Sequence, residues 1–133
     1  MIIYRSKFLE VNYLELQHLM HFMFTEYASH MDKQGLYHEV LNFTGYRLHK
    51  RSRKFLWDLR PVEHLVDETF FEWLFQYIFP KIASFNATAI GFIVNEPARY
   101  EKVPRVIRLF GKREIKVMFD DNPETLMKRL KES

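Results

Sequence analysis

Two short, almost continuously apolar runs constrain this chain more than any other feature. Residues 55–59 read FLWDL and residues 88–94 read TAIGFIV. Runs of this kind are typical of strands buried on both faces, as in the parallel part of a sheet. Helical spacing between the two runs places a helix there, so the chain is predicted to fold as an α/β protein.

The amino-terminal third predicts strands followed by a helix. Residues 2–5, 8–13 and 17–25 are rich in apolar and aromatic side chains and are separated by polar breaks, which favours three successive antiparallel strands. Asp32 is the expected N-cap of a first helix that ends in a basic run at residues 49–54. Its apolar stripe consists of Leu36, Tyr37, Val40, Leu41, Thr44 and Leu48.

Two more helices are predicted between the later strands. The second runs from about Asp67 to Pro80, whose ring and missing N–H disfavour a longer helix. A third is expected around Pro104, because Pro is well placed in a first helical turn. Its apolar positions would be Val103, Val106, Ile107 and Phe110.

The carboxyl-terminal segment gives the clearest local pattern. Residues 115–119 predict a last strand, and Asn122, Pro123 and Glu124 form a strong helix start. The complete order is therefore βββαβαβαβα, a mixed sheet whose later strands are parallel.

Composition limits the classes of function. The 133 residues, 47% of them apolar, are enough for one domain, and we expect residues 1–133 to form it. Cysteine is absent, which excludes disulfides, thiolate metal sites and thiol nucleophiles. No secretory signal or membrane-spanning run is found, so a cytoplasmic location is expected.

Basic residues are clustered, but the net charge is only +3. One cluster is the run at residues 49–54, and the other has near-helical spacing: Arg99, Lys102, Arg105, Arg108 and Lys112. Neither is accompanied by the aromatic or helix-turn-helix patterns of nucleic-acid-binding domains. We interpret both as solvated faces and expect no nucleic-acid partner.

The order of elements, with FLWDL followed by a polar crossing and an acid-led helix, resembles the STAS domain family, also called the SpoIIAA-like fold. Many members bind anti-sigma factors, and an Asp-Ser-Ser-Gly motif at a helix start carries their regulatory phosphoserine. VDETF lies at the corresponding place, so Asp67 would match the motif aspartate and Thr69 the phosphorylated serine. Glu68 and Phe70 replace the first serine and the glycine. The pair Asp67 and Trp73 is similar to divergent bacterial members of the family.

The resemblance implies a non-enzymatic regulatory or protein-interaction domain. Its partner would bind around Asp58, Arg60, Asp67, Glu68 and Thr69, with the phosphoswitch absent or altered. An alternative is a small apolar-ligand or lipid-binding protein similar to the Sec14-type carriers. No cofactor and no metal are expected.

Acidic residues after residues 55–59 leave a third alternative, an enzyme. Asp58, Arg60, Glu63, His64 and Asp67 gather where open α/β sheets often bind ligands, and they include candidate general bases and hard-metal ligands. The opposing interpretation is a surface ion pair, Asp58–Arg60 or Glu63–Arg60, together with a helix cap. No catalytic residue is assigned. His18 and His21 would point to opposite faces of a strand, which disfavours a shared metal.

The second helix carries more large apolar residues than one stripe can hold: Phe70, Phe71, Trp73, Leu74, Phe75, Tyr77, Ile78 and Phe79. The surplus either packs against neighbouring helices of the same chain or forms an interface. Homodimerisation through Phe71, Trp73, Phe75 and Tyr77 is the sharper of the two hypotheses.

Overall fold

The computed structural model describes residues 1–45 and 51–133, which form an α/β structure built on one mixed seven-stranded sheet. The strands are β1 (Ile2–Arg5), β2 (Leu9–Leu14), β3 (Leu19–Phe24), β4 (Lys54–Asp58), β5 (Ala89–Ile93), β6 (Val106–Leu109) and β7 (Arg113–Asp120). Within the described residues the helices are α1 (Lys33–Gly45), α2 (Glu68–Trp73), α3 (Phe79–Ile82) and α4 (Pro123–Lys131).

The spatial order of the strands is β1-β2-β3-β4-β5-β7-β6. β1, β2 and β3 pair antiparallel, whereas β3, β4, β5 and β7 are parallel to one another. β6 pairs antiparallel with β7 and forms one edge of the sheet. The central parallel strands predicted from the two apolar runs are therefore confirmed, and every residue of β5 is buried.

The main core lies between one face of the sheet and the helices α1 to α3. Phe22 of β3 stacks on Trp57 of β4, with ring centroids 3.8 Å apart and planes 5° from parallel. Phe43 of α1 meets Phe22 edge-on at 5.1 Å, and Phe71 of α2 meets Phe92 of β5 in the same way at 5.0 Å. Such aromatic pairs add to the stability gained by burying their area.

The other face is covered in part by α4. Leu126 and Leu130 pack against a smaller apolar cluster that includes Leu56 and Ile93. Gly91 lies under this helix, and a Cβ atom there would be 3.0 Å from a methyl group of Leu126. The absence of a side chain at this position lets α4 approach the sheet closely.

Helix starts predicted from capping residues are confirmed. Asp32 Oδ1 accepts a hydrogen bond from the Gly35 N–H at 2.7 Å, and Asn122 Oδ1 accepts one from the Thr125 N–H at 3.0 Å. These bonds satisfy N–H groups that have no partner within the helix. Leu48 and residues 49–50 of the predicted basic run lie outside the described residues.

The predicted third helix is wrong. Pro97–Tyr100 form a short 3₁₀ turn, and Val106–Leu109 form strand β6. Val106 and Ile107 are β-branched and fit an extended backbone, while Phe110 and Gly111 have φ of 56° and 73° and turn the chain into β7. The observed order is βββαβαβββα, counting α2 and α3 as one helical unit, so the predicted order βββαβαβαβα, on which the STAS resemblance rests, is not confirmed.

The second helix also continues beyond its predicted end. A π-helical turn, Leu74–Ile78, follows α2, and α3 then extends to Ile82. Pro80 lies in the first turn of α3. The π-helical turn that precedes Pro80 replaces the regular i→i−4 hydrogen bonds, with the Phe79 N–H bonded to the Leu74 carbonyl, and such a turn is a common way for a helix to accommodate an irregularity. Among the described residues, no helix is both long enough and apolar enough to cross a bilayer.

Candidate functional site

A surface groove of about 540 Å³ separates α2 from the segment that leads into β6. We call it the α2–β6 groove. Its lining residues are Glu68, Phe71, Glu72, Phe75, Gln76, Pro80, Lys102, Val103, Pro104, Ile107, Arg108, Leu109 and Phe110. The volume lies in the range of ordinary ligand pockets, roughly 300–1,000 Å³.

The helical wall of the groove follows from the spacing of its residues. Phe71 and Phe75 are four positions apart, as are Glu68 and Glu72, so each pair lies along one side of the helix. Phe71 is buried against the sheet and Phe75 is half-buried, while both glutamates are exposed. The helix therefore presents an aromatic floor below an acidic rim.

The opposite wall is held by a cluster of ring and backbone contacts. Tyr100 stacks on Phe119 of β7, with centroids 5.1 Å apart and planes 9° from parallel. The Arg105 guanidinium lies 4.6 Å from the centroid of the same Phe119 ring. Its Nη1 donates to the carbonyls of Tyr100 and Val103 at 2.9 and 2.7 Å, which fixes the loop before β6.

The two walls carry opposite charge. Glu68 and Glu72 line the helical side, and Lys102 and Arg108 line the strand side; all four residues are exposed. The floor between them is apolar, formed by residues such as Phe75, Val103 and Leu109. An occupant with an apolar centre and charged ends of both signs fits this arrangement.

Asp67 is the N-cap of α2. Its Oδ1 accepts a hydrogen bond from the Phe70 N–H at 3.0 Å, and its Oδ2 accepts one from Lys33 Nζ at 2.6 Å. The bond from Lys33 is the main reason that the pKa of Asp67 is lowered. Thr69 is exposed in the first turn of α2, beside Glu68 and Glu72. The capping interpretation of this acidic start is confirmed.

Asp58 and Arg60 lie on the other side of the sheet from the groove. Arg60 Nε and Nη2 donate to the two carboxylate oxygens of Asp58 at 2.9 and 2.7 Å, which confirms the predicted ion pair. Both residues line a second depression that includes His21 of β3. The His21 Nε2 atom is buried without a partner, and burial lowers the pKa of this histidine, although the charges of Asp58 and Glu10 oppose the shift.

Glu63 is buried and ties two loops together. Its Oε1 accepts a hydrogen bond from the Asn95 N–H at 2.6 Å, and its Oε2 lies 3.9 Å from Arg99 Nη1. Glu63 thus pairs with Arg99 and not with Arg60. His64 is exposed on the same 3₁₀ turn. Asp58, Glu63 and Asp67 are therefore spread over separate contacts, each with its carboxylate bonded to the protein.

The aromatics of the second helix pack mostly within the chain. Phe71 is in the core, Trp73 lies 4.4 Å from the Tyr37 ring of α1, and Phe75 is half-buried in the groove floor. Tyr77 alone of these four predicted interface residues is largely exposed, at 60%. Intramolecular packing thus accounts for most of the aromatic surplus on this helix.

No group of three potential metal ligands occurs within residues 1–45 and 51–133. His18 has φ of 50° in the turn before β3, while His21 lies within β3. The two side chains belong to different backbone environments.

Sequence reasoning missed the strand wall of the groove. The sequence pattern places Lys102, Val103 and Arg108 on a solvated or helical face, whereas in the structure they line one side of a concave surface. The β-branched pair at Val106 and Ile107 and the glycine at position 111 are the signals that indicate a hairpin here.

Comparisons with known proteins give no relative for this chain. No protein-family model matches it, and neither a curated protein nor a solved structure matches it significantly. The α/β architecture and the groove are therefore described from the structure of this chain and not from a relative.

Proposed function

We propose that this chain is a non-enzymatic interaction domain that binds a protein partner in the α2–β6 groove. The observation that carries the proposal is the groove itself, an apolar floor between an acidic and a basic rim. Apolar contact area supplies most of the affinity at such a surface, and the flanking charges select the partner and its orientation.

The acidic residues support binding over catalysis. The carboxylates of Asp58 and Asp67 are held by cations at 2.7 and 2.6 Å, and that of Glu63 accepts a backbone N–H. A general base needs an oxygen that can reach a substrate proton in a suitable pose. Holding these oxygens in structural contacts favours a framework role, so enzyme activity based on residues 58–67 is the weaker proposal.

Phosphorylation of Thr69 is not part of the proposed mechanism. Glu68 and Glu72 are exposed on the same turns, and Asp67 precedes them. A phosphate would add about −1.5 to −2 charge beside these acids, and like-charge repulsion opposes it. We therefore propose that the unmodified chain binds its partner.

Affinity capture with matched variants tests the proposal. Wild-type protein, Glu72→Lys and Phe75→Ala would be compared as baits with Tyr27→Ala, which alters an exposed aromatic residue outside the groove lining. A stoichiometric protein partner should be retained by wild type and Tyr27→Ala and lost from both groove variants. Its binding should then be reproduced with purified components. A partner retained equally by all four proteins would contradict the assignment of the groove.

A small apolar ligand is the second candidate, because Phe71, Phe75 and Leu109 offer an apolar floor large enough for one. Native mass spectrometry of protein from its own host, compared with the denatured mass, separates the candidates. Release of a small hydrophobic molecule on denaturation would favour the carrier. A mass of twice the chain without ligand would identify a second copy as the partner.

A further inference from the structure

We propose that the partner binds as an extended strand that pairs with the free edge of β6, placing apolar side chains in the α2–β6 groove and an acidic side chain beside Arg108. This inference rests on the proposed function, because it concerns the same groove. It specifies the conformation and the charge of the bound segment.

The hydrogen-bond register of β6 shows which backbone groups face outward. The Val117 N–H donates to the Arg105 carbonyl at 2.9 Å, and β6 continues from there in antiparallel register with β7. Inward and outward groups alternate along an antiparallel strand, so Ile107 and Leu109 bond to β7. The N–H and C=O groups of Val106 and Arg108 therefore point away from the sheet that the described residues form.

An added strand would place alternate side chains in the groove. Ile107 and Leu109 are the less exposed residues of β6 and line the groove, whereas Val106 and Arg108 alternate with them and are exposed, with Arg108 bordering the groove only at its rim. Side chains of a new strand alternate in the same way. Every second residue would thus meet Phe75 and Ile107, while backbone hydrogen bonds to Val106 and Arg108 would fix its register.

Charge selects the partner strand. Arg108 is 69% exposed and its contact with Glu114 is long, at 4.0 Å, so its guanidinium is open to a second carboxylate. Lys102 adds positive charge on the same wall. Pairing of two copies through β6 would bring the two Arg108 side chains to one face of the joined edge, where like charges are destabilising. A segment of a different protein that carries an acid beside Arg108, and no acid beside Glu68 and Glu72, is therefore the occupant that fits.

Selection from a random peptide library tests both the conformation and the charge. The library would be selected on immobilised wild-type protein, and the affinities of the enriched peptides would be measured on Val106→Pro and Val106→Ala. Proline removes only an outward N–H, which sheet edges tolerate, and alanine controls for the lost side chain. Circular dichroism and the thermal midpoint would verify that both variants fold. A second selection on Arg108→Glu tests the charge.

The expected peptides have apolar residues at every second position and an acid between them, and they bind Val106→Pro about tenfold more weakly than Val106→Ala. Selection on Arg108→Glu should exchange that acid for a basic residue. Peptides with apolar residues at helical spacing, or equal affinity for the two Val106 variants, would overturn the strand while leaving the groove as the site. Absence of any peptide that Phe75→Ala weakens would overturn both proposals.

Discussion

Lys33, in the first turn of α1, donates a hydrogen bond from Nζ to Asp67 Oδ2, the N-cap of α2, at 2.6 Å. The second oxygen of Asp67 accepts the Phe70 N–H. One carboxylate therefore caps α2 and joins its start to the start of α1. Because α2 forms one wall of the α2–β6 groove, this contact helps to fix the position of that wall.

Asp67→Ala is expected to destabilise the protein by about 1 kcal/mol, because an N–H at the start of α2 loses its acceptor. Asp67→Asn keeps a capping oxygen and loses only the exposed ion pair, so its cost should be smaller. Urea denaturation of the two variants beside wild type measures the difference. Equal costs would show that the cap contributes nothing beyond the ion pair.

The stability contribution of Asp67 should depend on pH. Its pKa is lowered in the folded state, first by the hydrogen bond from Lys33. The unfolded chain therefore binds the proton more readily, so the stabilisation is present above the unfolded pKa, about 3.9, and is lost as pH falls through the folded value. The difference in unfolding free energy between wild type and Asp67→Asn should shrink from pH 6 to pH 3. A constant difference would contradict the lowered pKa.

The sequence predicted elements whose signals are local. Asn122 with Pro123 marked the start of α4, and the apolar runs marked β4 and β5, because capping and double-sided burial leave direct patterns. Strand β6 was missed because it is a run of only four residues, and its apolar positions fit both the helical and the strand period. Its strand conformation depends on pairing with β7, a tertiary contact that a linear pattern does not contain.

Phe71→Ala should destabilise the protein by about 3–5 kcal/mol, because its ring packs edge-on against Phe92, Tyr100 and Phe119 in the main core. Tyr77→Ala, on the same helical unit but largely exposed, should change the unfolding free energy by less than about 0.5 kcal/mol. Chemical denaturation of both variants provides the measurement. A small effect of Phe71→Ala would return this residue to the candidate interface.

Gly91→Val should destabilise the protein by about 1–3 kcal/mol through overpacking between β5 and α4. A Cβ at this position would already lie 3.0–3.2 Å from three side-chain carbons of Leu126, so α4 must move away. The double variant Gly91→Val with Leu126→Ala provides the control, since removing those carbons should recover part of the loss. Costs that simply add would show that the two positions do not compete for space.

The candidate site was predictable only in part. Glu68 and Phe75 were chosen from the helix pattern and do line the groove, but Asp58 and Arg60 lie across the sheet from it. Asp58 and Arg60 are close in sequence to Glu68 and Phe75. However, Asp58 at the end of β4 lies on one face of the sheet, and the turn that follows carries α2 to the other face. Proximity in sequence could not reveal this separation, because it depends on which face of the sheet each element covers.

Tyr100→Phe should make the protein less sensitive to alkali. The pKa of Tyr100 is raised to about 12, first by burial and then by the negative charge of Glu63. Its hydroxyl is buried beside the Glu63 carboxylate, whose charge and side-chain hydrogen bond both raise this pKa, so the change to Phe removes the ionisable group together with that contact. Above pH 10, the unfolded chain releases the tyrosine proton and the folded chain retains it. The contribution of Tyr100 to the unfolding free energy therefore falls as pH rises from 10 towards 12, by at most about 1.4 kcal/mol per unit.

Urea denaturation from pH 8 to pH 11 measures this loss as the difference in unfolding free energy between wild type and Tyr100→Phe. Glu63→Gln should move the onset of tyrosinate absorbance in the folded protein to lower pH, because it removes the negative charge that raises the pKa of Tyr100. Identical alkaline slopes for wild type and Tyr100→Phe would mean that Tyr100 releases its proton equally in both states, and that its ring on Phe119 is more open to water than its 4% exposure indicates.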